Sequence, residues 1–287
     1  MNLEKSYPYK RVLITGSGSG LGRALAIEFA KRKWNVIVAD INFQRASDTA
    51  QLIEKYGGKS IPKKCDVTVE NDCINLLTEV KKHYKGCDIL INNAGVAAAG
   101  FFEKIPLKTW DWIYAINTKS IILMCRTFIP LFKEQKYGYI VNIASNAGIA
   151  SLPEMACYNM TKAATISLSE TLSVELSPYN INVSVVCPTF FKTNLMDQFT
   201  SPDKRQLIIA QKFFDRSHVS AEEIARHTIR NMSKKHFYII KQPDGKLIWW
   251  FKRHVPEWYF KLLSFIYRKG YFYNYLKITP QEMSERR

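Results

Sequence analysis

The chain has 287 residues, 47% of them apolar, and a net charge of +16, which allows one large α/β domain or two small ones with a sizeable core. The charge invites an anionic partner such as nucleic acid, anionic lipid or a phosphorylated cofactor. Yet the basic residues form no single long block, and the motifs of dedicated DNA or RNA binders are absent, so a solvated basic surface is preferred to a nucleic-acid site. Cysteines 65, 73, 87, 125, 157 and 187 contain no C-x-x-C pair, which argues against zinc or a disulfide framework and fits reduced thiols in a cytosol. The polar stretch Met1 to Lys10 is neither a signal nor a transit peptide. There is no run of about 18 apolar residues, so no helix is expected to span a bilayer.

Arg11-Val12-Leu13-Ile14-Thr15 is an apolar, β-branched run that predicts a strand buried on both faces. Gly16-Ser17-Gly18-Ser19-Gly20-Leu21-Gly22 follows, and Arg23 to Lys33 is helical in composition. Strand, glycine turn and helix form the context of a dinucleotide site: glycines let backbone approach a pyrophosphate, and the helix N-terminus offers amide hydrogens. Trp34 to Ala39 predicts the next strand, ending in Asp40, 18 residues after Gly22. A carboxylate there bonds the adenosine ribose hydroxyls and repels a 2′-phosphate, which favours NAD over NADP. Otherwise Asp40 would be a cap before the helix expected over Asn42 to Tyr56.

Ser60 to Cys65 predicts a third strand followed by Asp66-Val67-Thr68, and Val69 to Tyr84 a helix. Cys87 to Ile91 predicts a fourth strand ending in Asn92-Asn93-Ala94-Gly95. A helix from Pro106 to about Asn117 and another to about Lys136 follow, with Pro130 as a kink or break. Tyr139 to Ala144 is the fifth expected strand, with Ser145 at its carboxyl end; Ala156 to Pro178 is a long helix bearing Tyr158 and Lys162. Asn180 to Cys187 is the sixth strand, before Pro188-Thr189 and Thr193; Ser220 with Glu223 caps a helix, and Phe237 to Lys241 is the seventh strand. This alternation predicts an α/β fold with a doubly wound parallel sheet of about seven strands, whose ligands bind beyond the carboxyl ends of the strands.

Tyr158 and Lys162 are four apart on a helix and so share a face. An ammonium beside a phenol favours the phenolate, which would let Tyr158 exchange protons far below its usual pKa of about 10. A serine-hydrolase reading fails, because no G-x-S-x-G surrounds Ser145.

Taken together these residues resemble the short-chain dehydrogenase/reductase family in its single-domain Rossmann form, over about residues 8–245. Thr15-Gly16-x-x-x-Gly20-Leu21-Gly22, with Ser19 inside it, matches the family's glycine motif; Asp66-Val67 its adenine contact; and Asn92-Asn93-Ala94-Gly95 its central-sheet motif. Asn117, Ser145, Tyr158 and Lys162 fall where its catalytic four belong, and Pro188 and Thr193 match its nicotinamide-side loop. The pattern is broken at Thr189, where the family usually has Gly. The resemblance implies an NAD-dependent oxidoreductase acting on an alcohol or carbonyl, as a homodimer or homotetramer. Tyr158 would be base in oxidation and acid in reduction. Lys162 would bond the nicotinamide ribose, Ser145 the substrate oxygen, and Asn117 a water that relays protons from Lys162. A non-catalytic NAD-binding regulatory or scaffold protein is the alternative.

Residues 246–287 are expected to form a separate extension to a catalytic domain of residues 1–245. Aromatic residues from Trp249 to Tyr275 alternate there with Lys252, Arg253, Lys261, Arg268 and Lys269. From Pro256 a helix would carry Trp258, Tyr259, Leu262, Phe265 and Ile266 on one face and Glu257, Lys261, Ser264 and Arg268 on the other. The extension reads as a subunit-interface or core helix, as a lid over a lipophilic substrate (sterol, retinoid or long-chain alcohol or aldehyde), or as a peripheral membrane contact. A cytoplasmic location, free or at a membrane surface, is expected; nucleic acid is the weakest of the candidate partners.

Overall fold

The computed structural model describes residues 3–191 and 197–271. Thr193 and the last expected tail aromatics, Phe272, Tyr273 and Tyr275, lie outside the described residues.

Seven strands form one sheet: β1 (Arg11–Thr15), β2 (Asn35–Asp40), β3 (Lys59–Lys64), β4 (Ile89–Asn92), β5 (Gly138–Ile143), β6 (Ile181–Val186) and β7 (Tyr238–Ile239). The spatial order is β3-β2-β1-β4-β5-β6-β7, and every pair is parallel. This is a Rossmann-like α/β fold. Helices α1 (Gly20–Ala30), α2 (Phe43–Lys55), α3 (Glu70–Tyr84), α4 (Leu107–Tyr114), α5 (Ser120–Gln135), α6 (Ala156–Glu175), α7 (Lys204–Arg216) and α8 (Ala221–Met232) follow the strands, and α9 (Pro243–His254) and α10 (Pro256–Arg268) close the described chain.

Strand residues alternate between two cores because successive side chains leave a strand on opposite faces. Val12, Ile14, Val36 and Val38 meet α1, α2 and α8 through Leu25, Phe29, Ile53 and Ile224. Leu13, Ile37, Leu90 and Ile140 meet α3, α5 and α6 through Leu76, Val80, Phe128 and Leu172. Apolar side chains on both faces explain why β1 and β4 read as continuous apolar runs. The expected capping box starts α8: Ser220 Oγ accepts the Glu223 N–H at 3.3 Å, and Glu223 Oε2 accepts the Ser220 N–H at 3.0 Å.

Three features differ from the sequence expectation. Helices α4 and α5 are joined by a π turn, Ala115–Lys119, and Pro130 lies inside α5. Among the described residues, Leu107–Gln135 is therefore one helix long and apolar enough to cross a membrane. Half of its most apolar stretch is buried, with Ile121, Met124, Phe128 and Phe132 packed in the core beside α3. A run criterion misses it because interspersed polar residues break the apolar run without lowering the average enough. Next, Ala97–Ala98 and Phe199–Thr200 pair as a small second sheet, too short to show a period. Last, α9 begins at Pro243, so a helix crosses position 245; proline suits that place because the first-turn N–H needs no helical partner.

Candidate active site

The carboxyl ends of β1, β2, β4, β5 and β6 converge on a cavity of about 1130 Å³. That exceeds the roughly 300–1,000 Å³ of a pocket for one small molecule. The glycine turn after β1 lines one end. Gly16 has φ +60°, in the left-handed region, and a Cβ on it would stand 2.8 Å from the Ala94 Cα. A Cβ on Gly22 would stand 2.3 Å from the Gly16 carbonyl oxygen. Both glycines are thus required by close backbone approach. Asn93 secures this junction: its Nδ2 donates to the carbonyls of Thr15 and Gly16 at 2.9 and 3.0 Å, while Thr15 Oγ1 accepts the N–H groups of Asn93 and Ala94 at 3.0 and 3.2 Å.

Helix α1 opens at Gly20 beside this turn, with Ser19 as its N-cap residue. The amides of a first helical turn have no partner within the helix, so Gly20, Leu21 and Gly22 can face an anion. The register Thr15↔Ala39 brings the end of β2 alongside. Asp40 Oδ2 accepts the Gly18 N–H at 2.8 Å, and its Oδ1 accepts the Asn42 N–H at 2.9 Å. Asp40 therefore ties the glycine turn to the start of α2 and also lines the cavity. Asp66 and Val67 line it further along, and Asp66 Oδ1 accepts both the N–H and the hydroxyl of Thr68 at 2.9 and 2.7 Å. A glycine cradle that a Cβ would fill, a helix N-terminus and a carboxylate at the rim fit a dinucleotide.

Three of the four expected polar side chains line the other end, and the fourth, Asn117, is buried behind it without lining the cavity. Tyr158 and Lys162 are buried on α6 and line the cavity with Ser145. Ser145 Oγ accepts the Ala147 N–H at 3.1 Å. Asn117 is fully buried in the π turn. Its Oδ1 accepts the Val96 N–H at 2.8 Å, and its Nδ2 donates to the Val96 carbonyl at 2.9 Å and Thr161 Oγ1 at 3.1 Å. The π turn aims Asn117 across to α6, which a residue of mediocre helix propensity signals only faintly. A Cβ on Gly95 would stand 3.2 Å from Asn117 Oδ1 and 3.3 Å from Lys162 Nζ, so Gly95 gives both groups their room.

The electrostatics depart from the sequence expectation. Burial pushes the Tyr158 phenol up to about 12, with the polar Ser145 side chain acting in the opposite direction. Burial also draws the Lys162 ammonium down to about 8. Lys162 Nζ lies 5.8 Å from the centre of the Tyr158 ring and donates to the Ile143 carbonyl at 3.1 Å. Loss of water penalises both charged forms and outweighs the attraction that sequence spacing suggests.

The far wall is apolar. Phe190 after β6, Phe213 and Phe214 of α7, and Ile248 of α9 line it. Phe190 stacks on Phe213 with centroids 4.5 Å apart. Pro188 lines the cavity and its carbonyl accepts the Asn146 N–H at 2.8 Å. Asn146 Nδ2 in turn donates to the Gly245 carbonyl at 3.2 Å. Sequence reading misses this seat for α9, and the Gln242-Pro243 helix start is the signal that could reveal it. It also misses Glu154, which accepts hydrogen bonds from Arg205 Nη2 at 2.5 Å and from the Tyr267 hydroxyl at 2.8 Å. No motif joins residues so far apart.

Residues 10–204 match the short chain dehydrogenase family. An uncharacterized oxidoreductase of Thermotoga maritima is 34% identical over 69% of this chain and 79% of its own length. Other curated relatives are longer, and the chain spans 43% and 60% of two of them. A Burkholderia phymatum short-chain dehydrogenase/reductase in complex with NAD superposes with a TM-score of 0.82, at 27% identity over 86% of this chain and 93% of that one. A metagenomic short-chain oxidoreductase in complex with NADP gives 0.60, at 28% identity over 62% and 82%. With its sheet order, its glycine turn and a match over more than half its length, this chain belongs to the short-chain dehydrogenase/reductase family of oxidoreductases.

Proposed function

We propose that the chain interconverts an alcohol and a carbonyl with NAD(H), on a lipophilic substrate. The observation that carries this reading is one cavity with Ser145, Tyr158 and Lys162 at one wall and Phe190, Phe213, Phe214 and Ile248 at another. Gly16, Ser19, Gly20, Leu21 and Gly22 would hold the pyrophosphate, Asp40 the adenosine ribose, and Asp66 and Val67 the adenine. Asn93, Ala94, Gly95, Pro188 and Thr193 would complete the cofactor site, with Tyr158 and Lys162 on the nicotinamide side. Bound NAD supplies the hydride acceptor or donor.

The protein's own contribution is proton handling and placement. Tyr158 Oη takes the hydroxyl proton in oxidation and returns it in reduction. Ser145 Oγ hydrogen-bonds the substrate oxygen and offsets charge that develops on it. A phenol held near 12 suits donation, and its work as a base requires Lys162 in its ammonium form. Asn117 would hold a water that relays protons between Lys162 and solvent. Residues 1–245 would be the catalytic unit, acting as a homodimer or homotetramer, with 246–287 as its extension.

The test is NAD⁺ reduction followed by absorbance over long-chain alcohols, sterols and retinoids, beside NADP⁺. Tyr158→Phe is expected to cut kcat by about 10²–10⁴-fold with NAD binding retained. Undiminished turnover in that variant would remove the acid/base assignment, and turnover of small polar sugars alone would remove the lipophilic one. NAD binding without turnover of any alcohol would favour a cofactor-binding scaffold.

A further inference from the structure

We propose that the outward face of α10 docks on an anionic lipid bilayer. The broad apolar face expected of this helix is divided in the fold. Tyr259 turns inward, 7% exposed, and its hydroxyl donates to the Ala150 carbonyl at 2.6 Å. Tyr267 also turns inward, where it lines the cavity and donates to Glu154. Trp258, Leu262 and Phe265 are left outside, 68%, 48% and 44% exposed. They are spaced i, i+4, i+7 and so form one stripe along the helix. Because Tyr259 and Tyr267 fasten the opposite side, the stripe cannot roll into the core.

Charge selects the occupant. Lys261 and Arg268 are exposed on the flank of the stripe, and Glu257 is the helix's one acid. Lys261 Nζ sits 5.6 Å from the Trp258 ring centre, so cation and aromatic reach the surface side by side. Helix α9 adds exposed Trp250 and Arg253 close by in sequence. Aromatic rings at headgroup depth beside Lys and Arg are what an anionic bilayer surface accepts. A second copy fits less well, since a two-fold interface on this face would set the same basic flanks near each other.

Docking needs no turnover, so its failure and a failure of the proposed activity are separate results. The full chain is sedimented with vesicles of phosphatidylcholine alone, and of phosphatidylcholine with phosphatidylserine, at low and high salt. We expect pelleting with the anionic vesicles, weakened by salt. Lys261→Glu with Arg268→Glu should lower partitioning at least about tenfold. Trp258→Ser with Phe265→Ser should lower it too, with melting temperature and NAD binding unchanged. The proposal is overturned by equal binding to neutral vesicles, by no pelleting with either, or by variants that partition like the unmodified chain. It is also overturned if light scattering finds a dimer that the Trp258→Ser, Phe265→Ser variant dissolves, which would make a second copy the occupant.

Discussion

Thr189 and Gly245 fit together as knob and hole. A Cβ on Gly245 would stand 2.9 Å from Thr189 Cγ2, 3.0 Å from Asn146 Nδ2 and 3.1 Å from Ile240 Cγ2. Thr189 stands where the family pattern has Gly, and its methyl occupies the space left by the side chain missing at Gly245. The first turn of α9 is thereby held against the segment that follows β6. Gly245→Ala should cost about 1–3 kcal/mol through overpacking, read by denaturant unfolding. Thr189→Gly on that background should recover part of it, because the Asn146 and Ile240 contacts remain. An unchanged midpoint in Gly245→Ala would show that this seat is loose.

Lys162 is held at a cost to stability. Its folded pKa, about 8, lies below the ordinary 10.5. Between these values the unfolded chain binds the extra proton, so stability rises with pH across about 8 to 10.5. The cost is fully present below 8, where both states are protonated and the folded one holds a buried charge. Lys162→Met should therefore raise apoprotein stability at pH 7, by up to about 3 kcal/mol, while abolishing turnover. Thermal melts at pH 7 and pH 10.5 check this, with the difference vanishing at the higher pH. Tyr158 acts in the other sense: its raised pKa adds a loss of stability from about 10 to 12.

Asp40 has two duties, as acceptor for the Gly18 and Asn42 N–H groups and as a carboxylate at the cavity rim. Asp40→Ser keeps one acceptor and removes the charge that would repel a 2′-phosphate. The ratio of kcat/KM with NAD⁺ to that with NADP⁺ should fall by about 10²-fold. A ratio that does not move would separate Asp40 from cofactor choice.

Tyr267 and Glu154 link α10 to the stretch just before Tyr158. The buried carboxylate also pairs with Arg205, at 2.5 Å. Tyr267→Phe removes a donor to a charged acceptor, worth about 1.5–3 kcal/mol. Limited proteolysis should cut the 254–268 segment faster in the variant, with little change in β1 to β6. Equal cutting rates would mean that Tyr259 alone fastens the helix.

How much was legible in the sequence depended on how local the signal was. Strand and helix alternation, the glycine turn, Asp40 and the Tyr158–Lys162 pair are written in short-range spacing, because backbone sterics and side-chain periodicity act over a few residues. The buried polar group at Asn117 was legible through its resemblance to a family pattern and only faintly through its own propensity. Tertiary structure alone decided the protonation balance of Tyr158 and Lys162, since desolvation depends on what surrounds a group and not on its neighbours in the chain. It alone matched Thr189 to Gly245, and it divided the apolar side of α10 between core and surface. Those outcomes rest on contacts between segments tens of residues apart, and no short window of sequence contains both partners.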